Sequence, residues 1–352
     1  MTIYGATTPG DPLVDAAGHA YDALLVMSYG GPEGHDDVLP FLENATRGRN
    51  VPRERLLEVA EHYHHFGGVS PINGQNLALI AALRDALAER GPDLPIYLGN
   101  RNWHPFVTDT LRRMRDDGVT RALALVTSAF SSYSGCRQYR EDIVGAIETV
   151  GGGAPAFPVD KLRVFYNHPG FVEAMVDRVR SALASFPEER RGAVELVFTA
   201  HSIPDAMARR CDYEVQLAEA CRLVAGAVGR NPHHLAFQSR SGPAQVPWLA
   251  PDIVDDLEAM AAEGRTDVVV VPIGFVSDHM EVLFDLDTEA RERAAELGMT
   301  MVRAETAGTH PRFVEAIREL ILERTTPDAE RLAVGLRGPN HDVCPVGCCL
   351  PR

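Results

Sequence analysis

Two segments of the chain gather side chains that move protons and hold metal ions. In Ala-His-Ser-Ile-Pro at 200–204, His201 stands where an apolar run ends, restrained by Thr199 and Ala200 before it and Pro204 beyond. An imidazole in that position can accept protons near neutrality, and it can equally satisfy the start of a following helix. Ser202 is not read as a nucleophile, because no nucleophile-elbow glycines flank it. The second segment, 278–289, reads Asp-His-Met-Glu-Val-Leu-Phe-Asp-Leu-Asp-Thr-Glu. In a helix, Glu281, Asp285 and Glu289 fall at i, i+4 and i+8, an acidic ridge with steps of roughly 6 Å. Like charges at that spacing repel, and no Lys or Arg alternates with them before Arg291. The pattern fits a solvated acidic face, and it fits a path for a cation. Imidazole joined to carboxylate suits Fe²⁺ and similar borderline ions.

The cysteines form a third grouping. Cys344, Cys348 and Cys349 crowd the C-terminus after a Gly/Pro-containing linker, while Cys136, Cys211 and Cys221 are scattered. Three thiolates need a fourth ligand to complete a four-coordinate site. The Cys-x₃-Cys-Cys spacing is not a ferredoxin pattern, so zinc, or His341 as a ligand, stays open beside a cluster. Cys211 and Cys221 lie in a helical stretch and read as core thiols.

These groups must be positioned by the rest of the chain. Its 352 residues suit two domains. Short apolar runs predict strands at 23–27, 96–98, 122–127, 163–165, 195–199, 235–238, 268–272 and 300–302. Amphipathic stretches between them predict helices at 76–90, 106–117, 170–185, 214–228, 251–263 and 311–324. The alternation implies an α/β fold of two doubly wound, Rossmann-like lobes with parallel sheets and a cleft between them. A single eight-unit barrel fits less well, because a long polar excursion to Gly68 replaces the helix after the first strand. Gly-Gly-Gly-Ala-Pro-Ala-Phe-Pro at 151–158 reads as the boundary.

Polar residues fall directly after the strands: Ser-Tyr-Gly-Gly-Pro after Met27, Asn-Arg-Asn-Trp-His after Gly99, His-Ser-Ile-Pro after Ala200. Ligands of open parallel sheets bind at those carboxyl ends. Pro32 stands where a phosphate-binding helix would start donating, and no glycine-rich dinucleotide fingerprint follows any strand, which argues against NAD and ATP. A formal charge of −15 argues against nucleic acid and anionic membrane as partners. The absence of a leader-like start and of a long apolar run makes a cytoplasmic location the expectation.

Taken in order, LLVMSYGGP, the RGR of 47–49, GGVSP of 67–71, FTAHSIP, QSRSGPAQVPWLAPD and PIGFVSDHMEVLFDLDTE resemble the ferrochelatases, which insert Fe²⁺ into a porphyrin. The likeness runs from about 21 to 322 and is greatest to the soluble bacterial coproporphyrin-type enzymes. It implies His201 and Glu281 as the catalytic, iron-facing pair, with Asp285 and Glu289 as an outer metal path. It further implies Tyr29, Arg47, Tyr63, Ser70 and Tyr139 as porphyrin contacts, and 33–68 as a lip over the porphyrin. Which of His201 and Glu281 takes the pyrrole protons stays open. His62 and Asn102 depart from some relatives. Because some ferrochelatases hold a [2Fe–2S] cluster on one mid-chain and three C-terminal cysteines, Cys136, Cys344, Cys348 and Cys349 are implied as its ligands.

The domain plan expected is an arm at 1–20, lobes at 21–152 and 153–310, and a helix with Cys-rich tail at 311–352. The lip's polar residues favour coproporphyrin III, with four propionates, over protoporphyrin IX, with two. Fe²⁺ is the second substrate, and neighbouring haem-pathway enzymes are candidate partners. A protoporphyrin ferrochelatase, a cobalt or nickel chelatase, and a tetrapyrrole- or metal-binding module are the alternatives.

Overall fold

The computed structural model describes residues 6–7, 20–153, 155–243 and 245–351. Strand β1 (Ala6–Thr7) is followed by β2 (Ala23–Ser28), β3 (Ile96–Asn100), β4 (Ala122–Val126) and β5 (Val159–Lys161). Then come β6 (Glu195–His201), β7 (His234–Gln238), β8 (Asp267–Val271), β9 (Thr300–Arg303) and β10 (Cys344–Pro345). Two four-stranded sheets result, ordered β3-β2-β4-β5 and β7-β6-β8-β9, and every pairing is parallel. Parallel strands need crossover helices, which cover both faces of a sheet. Hence β2, β4 and β8 are buried along their whole length. In each sheet the first strand lies between the next two, so the connections diverge from β2 and from β6. Ligands of such sheets sit at that point of divergence.

One apolar core joins the sheets, running from Leu24 and Leu79 through Phe171 and Phe313 to Leu196 and Val271. The Phe171 and Phe313 rings meet edge to face at 5.9 Å. Their helices, Pro169–Ala184 and Pro311–Thr325, approach so closely that a Cβ on Gly170 would lie 2.5 Å from the Arg312 carbonyl oxygen. The last helix also fixes the tail. Arg163 and Glu323 pair bidentately in the interior at 2.7 and 2.8 Å, and Arg163 donates to the Leu332 carbonyl at 2.7 Å.

The run expected as a strand at 163–165 is not one: β5 lies earlier, at Val159–Lys161. The ladder with β4 ends at the Ala124–Lys161 pair, and Arg163 leaves the sheet to meet Glu323. Burial of 163–165 comes from this core, not from pairing. The glycine-rich stretch 151–158 precedes β5, so the first sheet continues past it. The expected arm at 1–20 lies mostly outside the described residues, but its β1 pairs in parallel with β10 in the tail. Among the described residues no helix is long and apolar enough to cross a membrane.

The excursion after β2 folds as two helices, His35–Ala45 and Arg53–His65. Val38, Phe41, Leu42, Leu56, Ala60 and Tyr63 make their own small core, which closes on Met280 of the second lobe. His62 stacks on Phe284 with ring centres 3.7 Å apart and planes 6° from parallel. The lip therefore touches the acidic segment directly.

Candidate active site

His201 ends β6, paired in register with Gln238 at the end of β7. Its ring is fixed by a contact between Nδ1 and the Ser202 carbonyl. A carbonyl can only accept, so Nδ1 carries a proton, and it is Nε2 that faces the site. Nε2 lies 3.6 Å from Glu281 Oε2. Buried Tyr213 donates its hydroxyl to the His201 carbonyl at 3.0 Å and anchors the strand end.

The acidic segment is a helix of two kinds. One α-turn, Met280–Val282, passes into a π-helix over Leu283–Ala290 and back to α at Arg291–Glu296. Val282, Leu286, Ala290 and Ala294 pack into the core beneath. Glu281, Asp285 and Glu289, each one residue earlier, keep the spacing read from the sequence on the neighbouring face. The segment is clamped from behind. Arg303 pairs with Asp278 at 3.0 Å and with Asp287 at 2.9 Å. Gln75 of the first lobe accepts from the Asp278 backbone N–H at 2.8 Å.

The ridge is electrostatically uneven. Burial, joined by the neighbouring charges of Glu281 and Glu289, pushes Asp285 up to about 7, against hydrogen bonds from Ser239 and Gln238. Glu289 is also raised, chiefly by burial, with Asp252 and Glu292 adding to it. His279 places Nδ1 3.9 Å from Glu281 Oε2, and burial holds this imidazole below its usual range despite that carboxylate. Glu281 thus lies between two imidazoles. This arrangement offers an imidazole nitrogen, a carboxylate beside it, and a row of oxygens leading away.

Tyr29 and Tyr63 complete the same cluster. Both phenols are raised by burial, with the Glu281 carboxylate as the next cause. Ser70 is buried against the Tyr29 loop, where a Cβ on Gly31 would come within 2.5 Å of its Cβ. Tyr139 is buried below Arg101, whose guanidinium carbon lies 5.5 Å from the ring centre, and Arg101 pairs with Asp142 at 3.0 Å. Arg47 is not brought in: it is exposed in the turn after the first lip helix, without a side-chain partner among the described residues. Arg49 is the lip guanidinium whose field reaches Tyr29.

His279 and Arg101 join the candidate residues and were not singled out from sequence, whereas Arg49 already reads from sequence, with Arg47, as a lip residue able to receive carboxylates. His279 had a signal, its place beside Glu281 just after β8; Arg101 had its place just after β3. Asn102 backs the site, donating its backbone N–H to the Tyr29 carbonyl at 3.0 Å.

The cysteines separate as expected for Cys221, which is fully buried in the core. Cys211 is half-buried, donating to the Met207 carbonyl. Cys136 sits in a π-turn, Tyr133–Arg137, and the tail folds against it. Arg137 ties the two by donating to the Val346 and Cys348 carbonyls at 2.8 and 2.9 Å. The Cys348 and Cys349 sulfurs are 3.4 Å apart, and Cys136 interacts with both Cys344 and Cys349. His341, Cys344 and Cys348 bring their donor atoms within 4.8 Å of one another. The hub fits a thiolate-bound metal centre. Its donor set is soft, and the buried guanidinium of Arg140 stands near it with no hydrogen-bond partner among the described residues. Separately, a depression of about 390 Å³ beside β3, lined by Leu77, Ile96, Leu98 and Arg113, contains none of these groups.

Comparison with known proteins converges. The family model described as Ferrochelatase matches residues 21–325. A ferrochelatase of Rhodopirellula baltica is 58% identical, covering 94% of this chain and 93% of its own length. A coproporphyrin III ferrochelatase of Streptomyces griseus subsp. griseus is 52% identical over 94% of each chain, and that of Mycolicibacterium smegmatis 53% identical over 86% and 90%. Among solved structures, SirB from Bacillus subtilis with Fe³⁺ superposes with a TM-score of 0.53 at 14% identity, covering 88% of this chain and all of that one. That likeness speaks for the two-lobed fold. The family match and the close relatives speak for the chemistry: this chain is a metal chelatase and belongs to the ferrochelatase family.

Proposed function

We propose that this chain inserts Fe²⁺ into coproporphyrin III in the cleft between its lobes, as a cytoplasmic enzyme of haem synthesis. The observation that carries the mechanism is the His201–Glu281 contact. Metallation must remove two protons from pyrrole nitrogens. His201, with Nδ1–H committed to Ser202, presents Nε2 as the acceptor for one of them, and Glu281 relays the other to solvent. Glu281 beside it stabilises the imidazolium as it forms and offers oxygen to the metal. Asp285 and Glu289 extend that oxygen row outward as the path for iron. Tyr29 and Tyr63 wall the opposite side, and binding energy from the porphyrin's periphery holds the ring distorted enough to expose a nitrogen lone pair.

The substrate reading rests on the named relatives and on the lip. In this reading Arg49 and Arg101 receive carboxylates by charge-assisted hydrogen bonds, with Tyr139 and Ser70 on the same wall. Arg47, exposed at the lip's edge, is retained as an outer contact. Kinetics on the two porphyrins test it: we expect kcat/KM for coproporphyrin III to exceed that for protoporphyrin IX at least tenfold, and a preference for protoporphyrin overturns it.

The cysteine hub is proposed to hold a [2Fe–2S] cluster on Cys136, Cys344, Cys348 and Cys349. Such a cluster supplies one-electron redox chemistry when bound. A mononuclear zinc on His341, Cys344 and Cys348 is favoured by their close approach. Acid-labile sulfide in anaerobically purified protein separates the two, since only the cluster contains it.

A further inference from the structure

Arg140 lies on the helix Gln138–Val150, four residues beyond Cys136, and is only 3% exposed. Its Nε, Nη1 and Nη2 all lack a hydrogen-bond partner among the described residues. Arg137, a second buried guanidinium beside the hub, has partners: it pairs with Glu141 and donates to two tail carbonyls. Arg163, equally buried, has Glu323. A guanidinium does not shed its proton at accessible pH, so burying it without an anion is costly. Its field reaches the thiols of Cys344 and Cys348. Neutral thiols cannot offset its charge. Four thiolates on two ferric ions and two sulfides carry a net charge of two minus, which can.

We propose that Arg140 is the buried counter-charge of the hub, donating N–H groups to the sulfurs of the bound iron–sulfur centre. The proposal rests on the cluster reading of the hub. Its physical consequence is a reversal of sign between two states. In the loaded protein the guanidinium stabilises the centre, and more so its reduced, more negative form, which raises the reduction potential. In the stripped protein the same group is an unpaired buried charge that weakens the fold.

The test compares wild type, Arg140→Met and Arg140→Lys, each as the full chain purified anaerobically and reconstituted with iron and sulfide. Iron and labile sulfide per chain, the potential of the centre, and thermal unfolding of chelator-stripped protein are read. We expect Arg140→Met either to lose at least half its iron and sulfide or to shift its centre to a lower potential. Stripped, the same variant should unfold at a temperature equal to or above that of stripped wild type. Arg140→Lys, which keeps the charge but not the fork, should fall between. Wild-type iron, sulfide and potential in Arg140→Met overturn the proposal while leaving the cluster intact. A stripped Arg140→Met that melts well below stripped wild type also overturns it, assigning the arginine a packing role. Wild type that takes up no sulfide overturns the cluster reading itself, and the proposal with it.

Discussion

His201 is useful because its two nitrogens have different duties. Nδ1 is spent on the Ser202 carbonyl, and Tyr213 holds the backbone of the same residue from below. Asp285 shows the cost of such a site. Its carboxyl is raised to about 7, so the folded protein binds this proton more tightly than the unfolded chain does. Stability therefore falls as pH rises from near 4 through about 7. Asp285→Asn should be more stable than wild type at pH 8 by roughly 1–3 kcal/mol, the gap closing toward pH 4. Urea unfolding at the two pH values checks this. The same variant should lose the rise in iron turnover that wild type gains between pH 6 and 8, when Asp285 becomes anionic. His201 and Glu281 were singled out by the family resemblance, and the structure brings them to 3.6 Å. Arg101 was not singled out: a surface arginine looks alike whether or not it faces a cleft, and only its stacking on Tyr139 after β3 marks it out.

At the scale of elements, the acidic helix is the critical part. Its spacing was readable, since the stripe Val282, Leu286, Ala290 and Ala294 repeats every four residues. Its π-helical hydrogen bonding was not, because i+4 spacing on the surface does not reveal an i+5 ladder beneath. Arg303 fixes this helix by bracketing Asp278 and Asp287, all three groups being less than a fifth exposed. Arg303→Leu leaves two largely buried carboxylates short of their cation, and should cost about 3 kcal/mol of stability by urea unfolding. Arg303→Lys should recover part of it. The strand misplaced at 163–165 has the same lesson. Burial by core contacts and burial by sheet pairing leave the same apolar signature, and only Glu323, 160 residues distant, tells them apart.

Across the whole molecule, two sheets of matching strand order share one apolar core, with β2 and β6 at their points of divergence. The division expected from the glycine-rich stretch, 21–152 and 153–310, falls before β5, which pairs with β4 in the first sheet. Alternating runs and helices made the α/β architecture readable. The contact of lip with acidic helix, through His62 and Phe284, depends on how the lobes meet and had no local signal. The proposed chemistry lies in the cleft between the lobes, at His201 and Glu281. Its most direct test is His201→Ala with Fe²⁺ under anaerobic conditions, following porphyrin binding by fluorescence and metallation by loss of the free-base spectrum. Porphyrin binding should stay within about threefold of wild type while insertion falls at least tenfold. Insertion retained above about a tenth of the wild-type rate, with the porphyrin bound, would contradict the assignment.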